Sequence, residues 1–193
     1  MVHLLEEMEK YASLNHIPIM QKDGITFMTK YIKEKQYKSI LEIGTAIGYS
    51  AIQMALIDPD IQITTIERDD QSYELALQNI KKARLEDRIL VIHGDALEVE
   101  VDGKYDFIFI DAAKAQYIRF FEKFKDNLLS NGSILSDNLA FHGLVEEEEQ
   151  TLTRGARGIV RKLKNYISYL KENTDFSTTF YDIGDGISIS MPK

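Results

Sequence analysis

The chain has 193 residues, 44% hydrophobic and 28% charged; this is the balance of a soluble globular protein and excludes a disordered chain. It has no cysteine, which excludes disulfides, iron–sulfur clusters and thiolate zinc and fits a reducing cytoplasm. Its net charge of −8 speaks against wholesale nucleic-acid binding, no apolar run nears the roughly 20 residues of a membrane span, and residues 1–10 lack the basic-then-apolar pattern of a leader.

With three prolines and no repeat or linker, residues 1–193 read as a single domain. Residues 22–35 carry Ile25, Met28, Tyr31 and Ile32 at helical spacing. Residues 39–43 are a short apolar strand followed by a glycine-bearing turn. Residues 49–57 predict a helix that stops before Pro59. Residues 61–66 are β-branched and predict a strand. Residues 70–83 predict a helix capped by Asp69 or Asp70. Residues 89–93 and 105–110 predict strands, and 116–129 a helix ending near Asn131-Gly132. Residues 133–136 predict a strand and 152–170 a mostly helical stretch. Strands that are apolar throughout, alternating with helices, indicate a parallel sheet covered on both faces. The end departs from this pattern. Residues 176–183 and 187–191 are strands around Gly184-Asp185-Gly186, a hairpin signal that forces one antiparallel strand into the sheet.

The run Leu41-Glu42-Ile43-Gly44-Thr45-Ala46-Ile47-Gly48-Tyr49-Ser50 joins the first of these strands to a helix. Its glycines let the backbone turn tightly against a ligand at a helix N-terminus. A pyrophosphate cradle would need G-x-G-x-x-G; here Ala46 holds the middle position, which argues against a dehydrogenase. Glu67 ends the second strand, where a carboxylate can accept hydrogen bonds from both hydroxyls of a ribose. The third strand runs into His93-Gly94-Asp95-Ala96, where a polar group can meet an adenine. The plain alternative is a tight turn with an unrelated acid.

These elements, in this order, resemble class I S-adenosylmethionine (SAM)-dependent methyltransferases. The resemblance implies a Rossmann-like α/β fold: a seven-stranded, mostly parallel sheet with a C-terminal antiparallel hairpin and helices on both faces. It implies that the cofactor contacts are Met20, Glu42, Gly44, Ser50, Glu67, Asp95, Ala96 and Asp111. Gly44 would flank the methionine part, Ser50 its carboxylate, Glu67 the ribose, and Asp95 and Ala96 the adenine.

Asp111 closes the fourth strand, and Asp137-Asn138 close the fifth. In a parallel sheet both lie on the carboxyl edge, where ligands bind. Each aspartate alone could simply cap a helix. Together, two carboxylates and an amide oxygen make a hard site that suits Mg²⁺, with Mn²⁺ or Ca²⁺ possible, over zinc. Asp111-x-x-Lys114-x-x-Tyr117 with Asp137-Asn138 also resembles the metal-dependent O-methyltransferases of catechol and caffeoyl-CoA type. That likeness implies a metal on two adjacent substrate oxygens, with Asp111 and Lys114 catalytic. Lys114 could take a proton only with its pKa depressed; otherwise it is a surface lysine at a helix start.

Arg154, Arg157, Arg161 and Lys164 follow at spacings that put them on one helical stripe, in a segment with no acid between residues 150 and 171. Gly155 and Gly158 each cost that helix about 1 kcal/mol, so its first turn is expected to order only on binding. The stripe is a solvated face, a partner of the glutamates at 146–149, or a site for an anionic substrate. Residues 17–20, 41–54, 109–117 and Asp185-Gly186 resemble the bacterial tRNA 5-hydroxyuridine methyltransferases, which points to a tRNA anticodon loop as substrate and the stripe as its RNA contact. Phe141 and His142 would then wall the base, or else belong to the core. The resemblance places residues near 17–20 over the cofactor; the chain starts close to them and is expected to lack the N-terminal helix common in that family. A homodimer is a family expectation. The same chemistry on a small catechol-like molecule is the alternative, and a catalytically silent SAM- or RNA-binding module the rival of another class.

Overall fold

Along the central strands successive residues bury on opposite sides. In β1 (Ser39–Ile43) and β4 (Tyr105–Ile110), Ile40, Phe107 and Phe109 enter one apolar cluster, and Leu41, Ile43, Ile108 and Ile110 enter the other. A sheet apolar on both faces must be covered on both. The computed structural model, which describes residues 1–140, 143–145 and 152–193, meets that demand with helices on each side. The first cluster takes Met8 and Ala12 of α1 (Val2–Asn15), Ile25, Met28 and Ile32 of α2 (Lys22–Lys35), Ile52 of α3 (Tyr49–Ala55) and Ile80 of α4 (Asp70–Ala83). The second takes Phe120, Phe121 and Phe124 of α5 (Tyr117–Phe124) and Leu163, Tyr166 and Leu170 of α6 (Arg154–Glu172). Phe121, wholly buried, sets its ring edge-on to Tyr166 and Phe176; Phe121→Ala would cost about 3–5 kcal/mol.

With β2 (Gln62–Glu67), β3 (Ile89–His93), β5 (Leu128–Ser136), β6 (Phe176–Tyr181) and β7 (Ile187–Pro192), the sheet has seven strands in the order β3-β2-β1-β4-β5-β7-β6. All pairings are parallel except those of β7, which runs antiparallel to both β5 and β6. The strand order reverses between β1 and β4, and the carboxyl ends of these two strands define a crevice. No described helix is long and apolar enough to cross a membrane.

Five local expectations need correction. Helix α3 ends at Ala55, where Ile57 N–H turns back to the Met54 carbonyl (3.2 Å). Helix α5 ends at Phe124 rather than continuing to 129. A 3₁₀ turn, Lys125–Asn127, follows, held by Asn127 Nδ2 on the Val101 and Gly103 carbonyls, and Leu128 already pairs with Tyr105. The register then shifts, so β5 begins well before residue 133. Helix α1 precedes residues 17–20, where an N-terminal helix was expected to be lacking; Leu5, Met8 and Ala12 on one face drive it into the core. Helix α6 starts at Arg154 rather than at residue 152, where the Thr153 hydroxyl caps it by accepting from Ala156 N–H (3.3 Å).

Candidate active site

The crevice between β1 and β4 is built by close backbone approach. Gly44 N–H donates to the Ile66 carbonyl (3.1 Å), and Asp111 N–H to that of Ile43 (3.0 Å), which extends the ladder past the strand ends. Gly44 adopts φ +99, and a Cβ there would lie 2.1 Å from the Asp111 carbonyl oxygen. Only glycine lets the two strand ends meet. Ala46 also takes the left-handed region, at φ 47, as the glycine of a dinucleotide turn would. This costs about 1–2 kcal/mol, offset by its N–H donating to Glu67 Oε2 (2.8 Å). Arg68 and Asp69 N–H both donate to Glu67 Oε1 (2.9 Å). The carboxylate is thus held at the end of β2 with lone pairs to spare.

A cavity of about 280 Å³ opens over these strand ends. It brings together Met20, Gly44, Ser50, Glu67, Asp95, Ala96, Asp111, Lys114 and Asn138. Asp95 Oδ1 accepts from Leu97 N–H (2.8 Å), which fixes that loop. His93 does not join the cavity lining. It stacks on Tyr73 at 4.3 Å and lies 3.0 Å from Asp70.

Glu42 stands one layer below the cavity, fully buried, on the face that otherwise holds Ile40. Ser50 donates to one of its oxygens and Thr65 to the other (2.6 Å), and Thr65 in turn pairs with Thr45. Burial pushes its carboxyl up to about 8, against the pull of the two hydroxyls. It is bonded to Ser50, at the first turn of α3, which lines the cavity as Glu42 itself does not.

The acidic cluster also assembles. Asn138 Nδ2 donates to Asp137 Oδ2 (2.8 Å) and Asp111 Oδ1 (3.1 Å). Asp137 is nearly enclosed, and Tyr117 hydroxyl donates to its backbone carbonyl (3.0 Å). Burial raises both aspartyl carboxyls; Asp111 raises Asp137 further, Asp185 raises both, and Lys114 pulls both down. Among the described residues no three carboxylate, histidine or thiolate side chains are grouped to hold a metal, so a metal here needs the amide as its third donor. Turning that amide over would exchange its two N–H bonds for an Oδ1 facing both aspartates, an arrangement that a cation between them would stabilise. An enclosed Asp137 and a half-buried Asp111 on the cavity wall, beside an amide that can present its oxygen, fit a hard divalent cation.

Some residues of the cavity were not singled out from the sequence. Tyr49 lines it, and its hydroxyl donates to Glu9 (2.6 Å), which also pairs with Lys22 (2.8 Å). That link ties α1 beside the segment Ile17 to Met20, which forms one wall. Arg68, Ser72 and Phe120 line it too. A tyrosine directly after Gly48 was visible in the sequence; its partner, 40 residues upstream, was not.

The stripe Arg154, Arg157, Arg161 and Lys164 is exposed on α6, which packs on the 3₁₀ turn Lys114–Gln116. Phe141, His142 and the glutamates at 146–149 lie outside the described residues.

The model of the O-methyltransferase family matches residues 1–192. The caffeoyl-CoA O-methyltransferase of Populus kitakamiensis is 29% identical over 190 residues, 94% of this chain and 80% of that protein. A Staphylococcus aureus structure assigned to the caffeoyl-CoA O-methyltransferases is 38% identical, with a TM-score of 0.93 over 98% of this chain and 92% of that one. A Podospora anserina methyltransferase bound to S-adenosylhomocysteine (SAH) is 25% identical, with a TM-score of 0.89 over 98% and 88%.

Proposed function

The chain belongs to the SAM-dependent O-methyltransferase family, and from that premise we propose that it methylates one of two adjacent oxygens on a small aromatic acceptor. The observation that carries this reading is the shared position of Asp111. It lines the cofactor cavity and also meets Asn138 of the acidic cluster, so methyl donor and acceptor oxygens would sit side by side. The relatives named for caffeoyl-CoA support it, because a caffeoyl group carries two neighbouring phenolic oxygens.

In this reading Glu67 holds the ribose, Asp95 and Ala96 border the adenine, and Met20 covers the methionine part. Ser50, oriented by Glu42, meets the carboxylate of that part at the start of α3. Asp111, Asp137 and Asn138 would hold Mg²⁺, or Mn²⁺ or Ca²⁺ in its place. When bound, such an ion lowers the pKa of a hydroxyl and fixes its oxygen. The acceptor hydroxyl gives its proton to water in the open crevice, and Lys114, on the cavity wall with Asp111, stabilises the oxyanion that remains. That oxygen takes the methyl from the sulfonium in line, leaving a methyl ether and SAH. The crevice contributes chiefly by orientation.

A second reading keeps the chemistry and changes the acceptor: the 5-hydroxyl of 5-hydroxyuridine in a tRNA anticodon loop. The exposed stripe on α6 favours it, since phosphates could rest there while a splayed base reaches the crevice. Methyl transfer assayed side by side on a catechol-type phenol and on tRNA bearing 5-hydroxyuridine tests both. Turnover of the phenol alone supports the first reading, efficient turnover of tRNA replaces it with the second, and turnover of neither refutes both.

A further inference from the structure

Asn138 does not continue the strand it follows. It stands at φ 65, and the next two N–H groups turn away from the sheet. Leu139 N–H donates to the Gly186 carbonyl (3.0 Å), and Ala140 N–H to that of Asp185 (2.8 Å). Both acceptors lie in the turn between β6 and β7, closed by Gly186 N–H on the Ile183 carbonyl (3.0 Å). Gly186 adopts φ +82, and a Cβ on it would fall 2.8 Å from Ala140 N and 3.2 Å from Ala140 Cβ. On the other side of the turn a Cβ on Gly184 would stand 3.4 Å from Gly24 N, in α2. The turn is therefore wedged between α2 and the loop that bears Asn138. Asp185, 4% exposed, adds its negative charge to that felt by Asp111 and Asp137.

We propose that Gly186 is a positioning residue of the active site: the β6–β7 turn, brought close enough only because Gly186 has no side chain, clamps residues 139–140 and so holds the Asn138 amide against Asp111 and Asp137. The functional consequence rests on the reading of Asn138 as a metal donor. A hairpin turn that merely closed the sheet would need neither the positive-φ glycine against Ala140 nor the two bonds to a loop that belongs to another crossover.

The test uses the full chain. In the wild type, the Leu139 and Ala140 amides should exchange with solvent at rates of the sheet core, not of an exposed loop. Gly186→Ala should speed those two amides while leaving the amides of β1 and β4 as they were. It should weaken Mn²⁺ binding, read by electron paramagnetic resonance, about 10–100-fold, the usual loss when a supporting partner of a ligand is removed. SAH affinity by calorimetry should stay within about threefold of wild type. Gly103→Ala, also at positive φ but with nothing within 4 Å of its Cβ, controls for backbone strain alone and should leave both ligands unaffected. Equal Mn²⁺ affinity in wild type and Gly186→Ala overturns the proposal, as does parallel loss of Mn²⁺ and SAH binding, which would mark a purely structural turn. Fast exchange of Leu139 and Ala140 in the wild type overturns it even where the variant fails to fold. A wild type that takes up no Mn²⁺ refutes Asn138 as a metal donor; amide protection then decides the clamp on its own.

Discussion

Replacing Glu67 by alanine should cost cofactor affinity far more than it costs the fold. The carboxylate accepts three backbone N–H bonds, from Ala46 at 2.8 Å and from Arg68 and Asp69 at 2.9 Å. Glu67 is only half-buried, so water can replace it for those donors, and the fold should lose about 1 kcal/mol. The two ribose hydroxyls assigned to it would each contribute about 1.5–3 kcal/mol as bonds to a charged acceptor. Their joint loss is about 3 kcal/mol or more, a drop in affinity of roughly a hundredfold at 1.4 kcal/mol per decade. Glu67→Gln is not a neutral control. Its amide must place NH₂ against either Ala46 N–H or the Arg68–Asp69 pair, so it should turn its oxygen to the pair and leave Ala46 opposed by a donor. Glutamine should therefore fall between wild type and alanine. Calorimetric titration with SAH, alongside thermal melting, measures both effects. An alanine variant that binds SAH within about threefold of wild type would refute the assignment of the ribose to Glu67.

Three further outcomes are expected. Glu42, raised from 4.5 to about 8 by burial, keeps its proton in the folded chain while the unfolded chain ionises, so its contribution to stability is lost as pH rises from about 4.5 to 8. Glu42→Gln should remove that loss, so the stability difference between variant and wild type, read by denaturant unfolding at pH 5 and pH 8, should shift by a few kcal/mol in favour of the variant. Chelation of divalent ions should stop turnover while SAH still binds; full turnover with no metal by elemental analysis would remove the metal from the mechanism. Reversing Arg157 and Arg161 to glutamate on the exposed stripe should leave turnover of a catechol-type phenol within about twofold. Loss of tRNA methylation alone in that variant, with a salt dependence of about 0.7 log units per phosphate contact, would establish the second reading.

Much of the architecture was legible because it is written in local periods. Strands such as Phe107 to Ile110, apolar on both faces, called for helices on both sides, and the Asp185-Gly186 pair called for the reversed strand β7. The spacing of Gly44 and Gly48 located the turn, and the strand ends located Glu67, Asp111 and Asp137 on one edge. Where local signals competed, they misled: residues 125–129 keep a helical composition, yet Asn127 and Leu128 bind elsewhere and break the helix. What no period encodes is contact between distant segments. That Gly44 must be glycine because of Asp111, that Tyr49 holds α1 through Glu9, and that Gly186 presses on Ala140 beside Asn138 are consequences of the crossover order. Glu42 shows the difference most plainly. Its position beside the glycine turn was visible in the sequence. That it lies beneath the cavity, enclosed and bonded to Ser50 and Thr65, was decided only when β1 paired with β2 and α3 closed over them.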